Sequence, residues 1–213
     1  MKIVTLFIVL MTLISCDDRG SDSSKLDLRV VETKVPIVLL PDNLTLQEYL
    51  LKGNKFLLDN EFENAINAFS QALRLDINNI EAYNNRGIAY KSIGEFQKAI
   101  DDYNSAIDIN PSYANSYNNR GQLWENMKVY PKALYDFSKA IELNPIDPIA
   151  YYNIGNIYGY MSEYELALEN FNKAIENNPE FPDAYYNRGK IYEELKMFEE
   201  AKLDFQKVEE LNK

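Results

Sequence analysis

Tyr117-Asn118-Asn119-Arg120-Gly121-Gln122-Leu123-Trp124 decides how this chain folds, because the sequence repeats its outline at a fixed distance in both directions. Glycine returns every 34 residues, at Gly53, Gly87, Gly121, Gly155 and Gly189. Four residues before each stands Tyr49, Tyr83, Tyr117, Tyr151 or Tyr185, and three after it Phe56, Tyr90, Trp124, Tyr158 or Tyr192. Further on come an aromatic (Phe62, Phe96, Tyr130, Tyr164, Phe198) and an alanine (Ala65, Ala99, Ala133, Ala167, Ala201). A second aromatic follows (Phe69, Tyr103, Phe137, Phe171, Phe205), then Ala72, Ala106, Ala140 and Ala174, with Val208 in the last unit. Pro111, Pro145 and Pro179 close three units, where a proline ends a helix. A period of this length marks an array of one supersecondary unit. Such arrays present long binding surfaces rather than closed catalytic pockets.

Spacings of 3, 4 and 7 belong to amphipathic helices. Each unit therefore reads as two antiparallel helices joined by a short turn such as Ile93-Gly94 or Met161-Ser162, with Ser162 and Glu165 fitting a capping box. Glycine and alanine fall where the two helices approach closely, and the aromatics fill the gaps beside them. Helical structure is expected from Thr45, since Thr45-Leu46-Gln47-Glu48 also fits a capping box. One pair of helices cannot bury its apolar face, so stacking supplies the core. The pattern resembles the tetratricopeptide repeat (TPR). That resemblance implies an all-α superhelix, a solenoid of five helix-turn-helix repeats at 46–79, 80–113, 114–147, 148–181 and 182–213, within a domain from residue 43 to the end.

Where the units differ is informative. Arg86, Arg120 and Arg188 precede their glycines, and the same units carry Asp102, Asp136 and Asp204 sixteen residues later. The fourth unit has Ile154 and Asn170 instead, and the first Lys52 and Ala68. Residues that come and go together imply an ion pair between the two helices of a unit; the alternative is an arginine row for anionic ligands. In the last unit Lys202 and Glu209 replace aliphatic residues such as Leu168 and Ile175, at positions that should face a following unit. A solenoid end needs such a polar face, so the pair reads as a cap. In the first unit Leu50, Leu51, Leu57 and Leu58 are expected on the inner face. The apolar Val35–Leu40 stretch just upstream either packs over that unit, even lying in the groove as an internal ligand, or leaves a greasy edge for dimerisation.

The N-terminus is different in kind. A 12-residue apolar run, Ile3–Ile14, follows Lys2 and is short for a membrane span. It ends in Leu13-Ile14-Ser15-Cys16, which resembles the lipobox of bacterial lipoproteins. The resemblance implies a signal peptide over 1–15, acylation at Cys16, and a membrane anchor followed by a tether over 16–42. An ordinary cleaved signal with an incidental cysteine, or an uncleaved short anchor, is the alternative. Asp17 to Pro41 would reach on the order of 80–90 Å stretched out and about 25–30 Å as a coil. Asp17 after the cysteine also resembles an inner-membrane retention signal, so either membrane is open.

The chain of 213 residues carries a formal net charge of −11, no histidine and one cysteine. Its acidity argues against nucleic acid as a partner. The missing histidines and cysteines exclude Cys/His zinc sites, histidine-based triads and an internal disulfide. No cofactor is expected. In the TPR family the first helix of each unit lines the concave face. Here that helix is rich in carboxamides: Asn84, Asn85, Asn118, Asn119, Gln122, Asn126, Asn153, Asn156 and Asn187, with Tyr152, Tyr160 and Tyr186 nearby. A carboxamide donates and accepts, so a row of them can hold an extended peptide backbone. The row resembles the asparagine ladder of the repeat domain of O-linked N-acetylglucosamine transferase; it also serves equally well to tie helix to helix. A carboxylate clamp would need convergent cations, and the groove offers chiefly Lys91 and Lys190. The expected function is a non-catalytic, membrane-anchored scaffold binding a protein or extended peptide in envelope assembly. The alternatives are a carboxylate-based enzyme on cell-wall glycan and a dimerisation module without peptide ligand.

Overall fold

The structure is a computed structural model that describes residues 37–212. The expected signal peptide, Cys16 and most of the tether lie outside the described residues. The described residues form ten α-helices and no strand: α1 Leu46–Leu58, α2 Phe62–Leu75, α3 Ile80–Ser92, α4 Phe96–Ile109, α5 Ala114–Asn126, α6 Tyr130–Leu143, α7 Pro148–Tyr160, α8 Tyr164–Asn177, α9 Pro182–Glu194 and α10 Phe198–Leu211. None of these is long and apolar enough to cross a membrane.

Within each unit the glycine permits the close approach. A Cβ built on Gly53, Gly87, Gly121, Gly155 or Gly189 would lie 2.5–2.8 Å from the ring of Phe69, Tyr103, Phe137, Phe171 or Phe205 respectively. Those contacts are sub-van der Waals, so only glycine admits the ring at this interhelical spacing. Ala65, Ala99, Ala133 and Ala167 are fully buried on the facing helix. Between units the aliphatic positions of the second helix do the packing: Ile100 meets Leu123, Leu134 meets Ile154 and Ile157, and Leu168 meets Ile191. In the last unit Lys202 and Glu209 occupy those places and are exposed.

Each unit turns its corner the same way. Asn60, Gly94, Lys128, Ser162 and Lys196 all take a left-handed conformation, with φ between 58° and 78°. After α7, Ser162 N–H donates to Gly159 and Glu163 N–H to Tyr158, the Schellman pattern that satisfies the last carbonyls of a helix. This corrects the expected capping box. Ser162 ends α7 rather than starting α8, and Glu163 precedes α8 with no side-chain capping bond. The Thr45 box is present, with Thr45 Oγ1 accepting from Glu48 N–H at 3.3 Å and Glu48 accepting from Thr45 N–H at 2.8 Å.

The ion pairs form as expected. Arg120 donates twice to Asp136, Nε at 2.8 Å and Nη2 at 2.7 Å, and Arg86–Asp102 and Arg188–Asp204 repeat the fork. Each arginine also reaches the second helix of the preceding unit, at Ser70, Asn104 or Asn172. The guanidinium thus joins three helices and marks a unit-to-unit seam.

The chain just before α1 packs on the first unit. Val38 N–H donates to Asn64 Oδ1 at 2.6 Å, and Val38 C=O accepts from Asn67 Nδ2 at 3.1 Å. Tyr49 donates its hydroxyl to Pro41 C=O, while Leu40 and Leu44 join the first core cluster. Asn64 and Asn67 lie on α2, so residues 37–41 sit against the second helix and not in the groove, which corrects the internal-ligand expectation. The four leucines divide: Leu50 is buried and Leu57 packs on the core, but Leu51 and Leu58 are exposed.

Candidate peptide-binding groove

The odd-numbered helices touch their counterparts in the next unit, α1 with α3, α3 with α5, α5 with α7 and α7 with α9, while the even-numbered ones among the described residues do not. The stack therefore curves with the first helices inside. Residues two, five, six and nine of each unit fall on this inner surface by helical periodicity.

Most of the carboxamide row is engaged in crosslinking the units. Asn85 Nδ2 donates to Asn54 Oδ1 at 2.8 Å, Asn119 Nδ2 to Asn84 Oδ1 at 2.9 Å, and Asn187 Nδ2 to Asn156 Oδ1 at 2.8 Å and the Tyr152 hydroxyl at 3.0 Å. Asn84 Oδ1 also accepts from buried Ser116. Asp147 caps α7 at Ile149 N–H and accepts from Asn118 Nδ2 as well. The ladder breaks between α5 and α7. Asn118 Oδ1 and Asn153 Nδ2 are buried, and neither has a hydrogen-bond partner among the described residues. They stand 35 residues apart, the separation at which Asn84–Asn119 and Tyr152–Asn187 bond. An acceptor and a donor are left unmet where the other steps close on themselves.

The residues named from sequence lie on two stretches of this surface. Asn84, Asn85, Asn118, Asn119 and Gln122 line a depression of ≈ 540 Å³, with Glu81, Tyr113, Asn144 and Asp147. Asn156, Tyr160 and Asn187 line a second of ≈ 220 Å³, with Gly159, Phe171, Lys190 and Ile191. Asn153 is buried beneath the surface, Asn126 is exposed near the end of α5, and Tyr186 packs on Phe205 with ring centroids 5.8 Å apart. Sequence reasoning missed Asn54, Ser116 and Asp147. Asp147 was legible as a helix cap before Pro148; the other two carry no local signal.

Electrostatics on the inner surface are set by burial. Lys91 is pushed down by desolvation and donates to Gln122 Oε1 at 3.2 Å. Burial raises the Glu125 carboxyl to about 7. Burial also raises Tyr152, opposed by its bonds to Asn156 and Asn187. Among the described residues no cluster of three or more histidine, cysteine or acidic side chains could hold a metal.

A solenoid of helical hairpins with an amide-rich inner surface defines the class: a repeat protein built for protein interaction. The chain belongs to the tetratricopeptide repeat family, whose model matches residues 80–113, 148–181 and 182–213, with a TPR repeat model matching 53–94 and 129–161. Among solved structures it is similar to MamA, at 30% identity and a TM-score of 0.65, covering 75% of this chain and 94% of that one. It is also similar to YrrB, described as a TPR protein with an unusual peptide-binding site, at 26% identity and a TM-score of 0.58, covering 78% and 86%. It shares the fold of pilF from Pseudomonas aeruginosa, at 20% identity and a TM-score of 0.73, covering 78% and 75%. No curated protein matches the chain in sequence.

Proposed function

We propose that this protein is a non-catalytic scaffold that holds a partner protein by an extended segment laid along α3, α5 and α7. The observation that carries the reading is the open depression of ≈ 540 Å³ on the inner surface, lined by the carboxamides of Asn84, Asn85, Asn118, Asn119 and Gln122. A carboxamide both donates and accepts, so such a lining matches the alternating N–H and C=O of an extended peptide. The same chain already grips backbone this way, since Asn64 and Asn67 bracket the N–H and C=O of Val38. The peptide-binding site named for YrrB, a relative in fold, is in keeping with this use. An inner surface of carboxamides and carboxylates suits a protein segment and repels nucleic acid.

We further propose that the scaffold works at a membrane of the bacterial envelope, held by acyl chains on Cys16 and serving an assembly there. The sequence Leu13-Ile14-Ser15-Cys16 after an apolar run supports this. Two or more chains, at about 0.8 kcal/mol per buried CH₂, anchor firmly.

Photocrosslinking in cells tests the groove. A benzoylphenylalanine at Gln122 or Tyr160 should capture a partner that the same residue at outward-facing Lys98 does not. Equal capture from Lys98, or none from the groove, refutes the reading. Cys16→Ala should abolish labelling by radioactive palmitate and release the protein from membranes; retention of both would remove the anchor.

A further inference from the structure

Among the described residues the inner surface holds a half-buried carboxylate, Glu125, for which no counterion is at hand. Glu125 follows Gln122 by one turn on α5 and is half-buried, yet no hydrogen bond or ion pair reaches its side chain among the described residues. The corresponding residue of the preceding unit, Lys91, is tied 31 residues onward to Gln122. That separation recurs at Asn54–Asn85 and Asn156–Asn187, and the 35-residue separation at Asn84–Asn119 and Tyr152–Asn187. Applied to Glu125, this register sets it against Asn156 and Tyr160. Between them the corresponding residue of the next unit is Gly159, which lines the ≈ 220 Å³ cleft together with Asn156, Tyr160 and Lys190. Tyr160 is 67% exposed and stacks on Tyr130 at 6.3 Å, and the 35-residue register puts this ring on the side of Glu125.

We propose that Glu125, Asn156 and Tyr160 form a subsite for a cationic side chain, arginine or lysine, of the bound segment. Resting on the peptide reading above, it adds a sequence requirement to what would otherwise be backbone recognition. A carboxylate satisfies the charge, the amide oxygen of Asn156 adds an acceptor, and the Tyr160 face takes the cation from above. The surroundings favour it: Glu81, Asp183 and Glu194 add negative charge along the inner surface. Of its two lysines, Lys91 bonds Gln122 and Lys190 is neutralised by Glu193 at 2.7 Å. A cationic residue is thereby drawn in and an acidic one turned away.

The test uses the ¹⁵N-labelled full-length chain in detergent at pH 8, titrated with N-acetyl-arginine methylamide and, separately, its norleucine counterpart. Saturable amide shifts at Glu125, Asn156, Gly159 and Tyr160 are expected with the arginine compound, at least tenfold weaker with norleucine. Glu125→Gln, whose spectrum also reports that it folds, should weaken the arginine compound at least tenfold. Equal binding of norleucine, saturation elsewhere, an unaffected Glu125→Gln variant, or no saturation at ~50 mM each overturns the proposal. Groove crosslinks from Gln122 that persist in any of these cases leave the scaffold reading standing and remove the subsite alone.

Discussion

Removing both members of the Arg120–Asp136 pair should cost less than the sum of removing each alone. Asp136 has a side chain only 1% exposed and takes two hydrogen bonds from Arg120, whose own side chain is 17% exposed. Arg120→Ile strands a buried carboxylate, for which about 3–5 kcal/mol is expected. Asp136→Asn leaves the arginine with water, with Asn104 and with the Tyr117 ring at 5.7 Å, so about 1–3 kcal/mol is expected. The double variant copies the fourth unit, where Ile154 is buried among Phe137 and Ile157 and Asn170 bonds the Leu166 carbonyl. It should therefore recover about 1–3 kcal/mol relative to the sum of the singles. Urea titration followed by circular dichroism at pH 7 reads all four corners of the cycle. Thermal midpoints provide a second measure, at about 2–4 °C per kcal/mol for a domain of this size. Additivity within about 0.5 kcal/mol, or Asp136→Asn costing more than Arg120→Ile, would refute the account of the seam.

Gly121→Ala sets a methyl 2.7 Å from the Phe137 ring, so overpacking of about 1–3 kcal/mol should exceed the helix-propensity gain of up to about 1 kcal/mol; a stabilised variant in urea would contradict this. Tyr103→Phe removes a buried hydroxyl that has no partner among the described residues, and the chemical midpoint should stay level or rise by about 1 kcal/mol. Glu125→Gln should raise the thermal midpoint at pH 8. The folded carboxyl titrates near 7, above its unfolded value, so the wild type is penalised above that pH. The gain should fade as pH drops through about 7 and vanish near pH 4; a gain that persists at pH 4 would exclude a titration origin. Asn67→Ala should loosen Val38 and speed amide exchange in residues 37–44, with about 0.5–1.5 kcal/mol lost; unchanged exchange would show that the bond does not hold the segment.

Local pattern carried the repeat and its interior, because close packing restricts which side chain can stand at each place. Gly121 and Phe137 are readable as a contact because no larger residue than glycine fits under the ring. Arg120 and Asp136 are readable because a buried charge requires its opposite, and both are lost together in the fourth unit. Ser162 was misread because serine followed by glutamate fits the start of a helix. The left-handed turn that ends α7 claims the same residue, and sequence carries no marker for which wins.

By itself the sequence determined the helical hairpin, its period and the glycine-to-ring contact, demands repeated in all five units, and the ion pair, repeated in three. Tertiary structure alone decided which amides pair across units and which do not. Asn84 and Asn118 are the same residue at the same place in consecutive units. One oxygen meets Asn119 and Ser116 and the other meets nothing among the described residues, because the outcome turns on how each helix seats against the next. The docking of Val38 between Asn64 and Asn67 is likewise a matter of where an irregular segment comes to rest on a helix 26 and 29 residues away, which no local preference encodes.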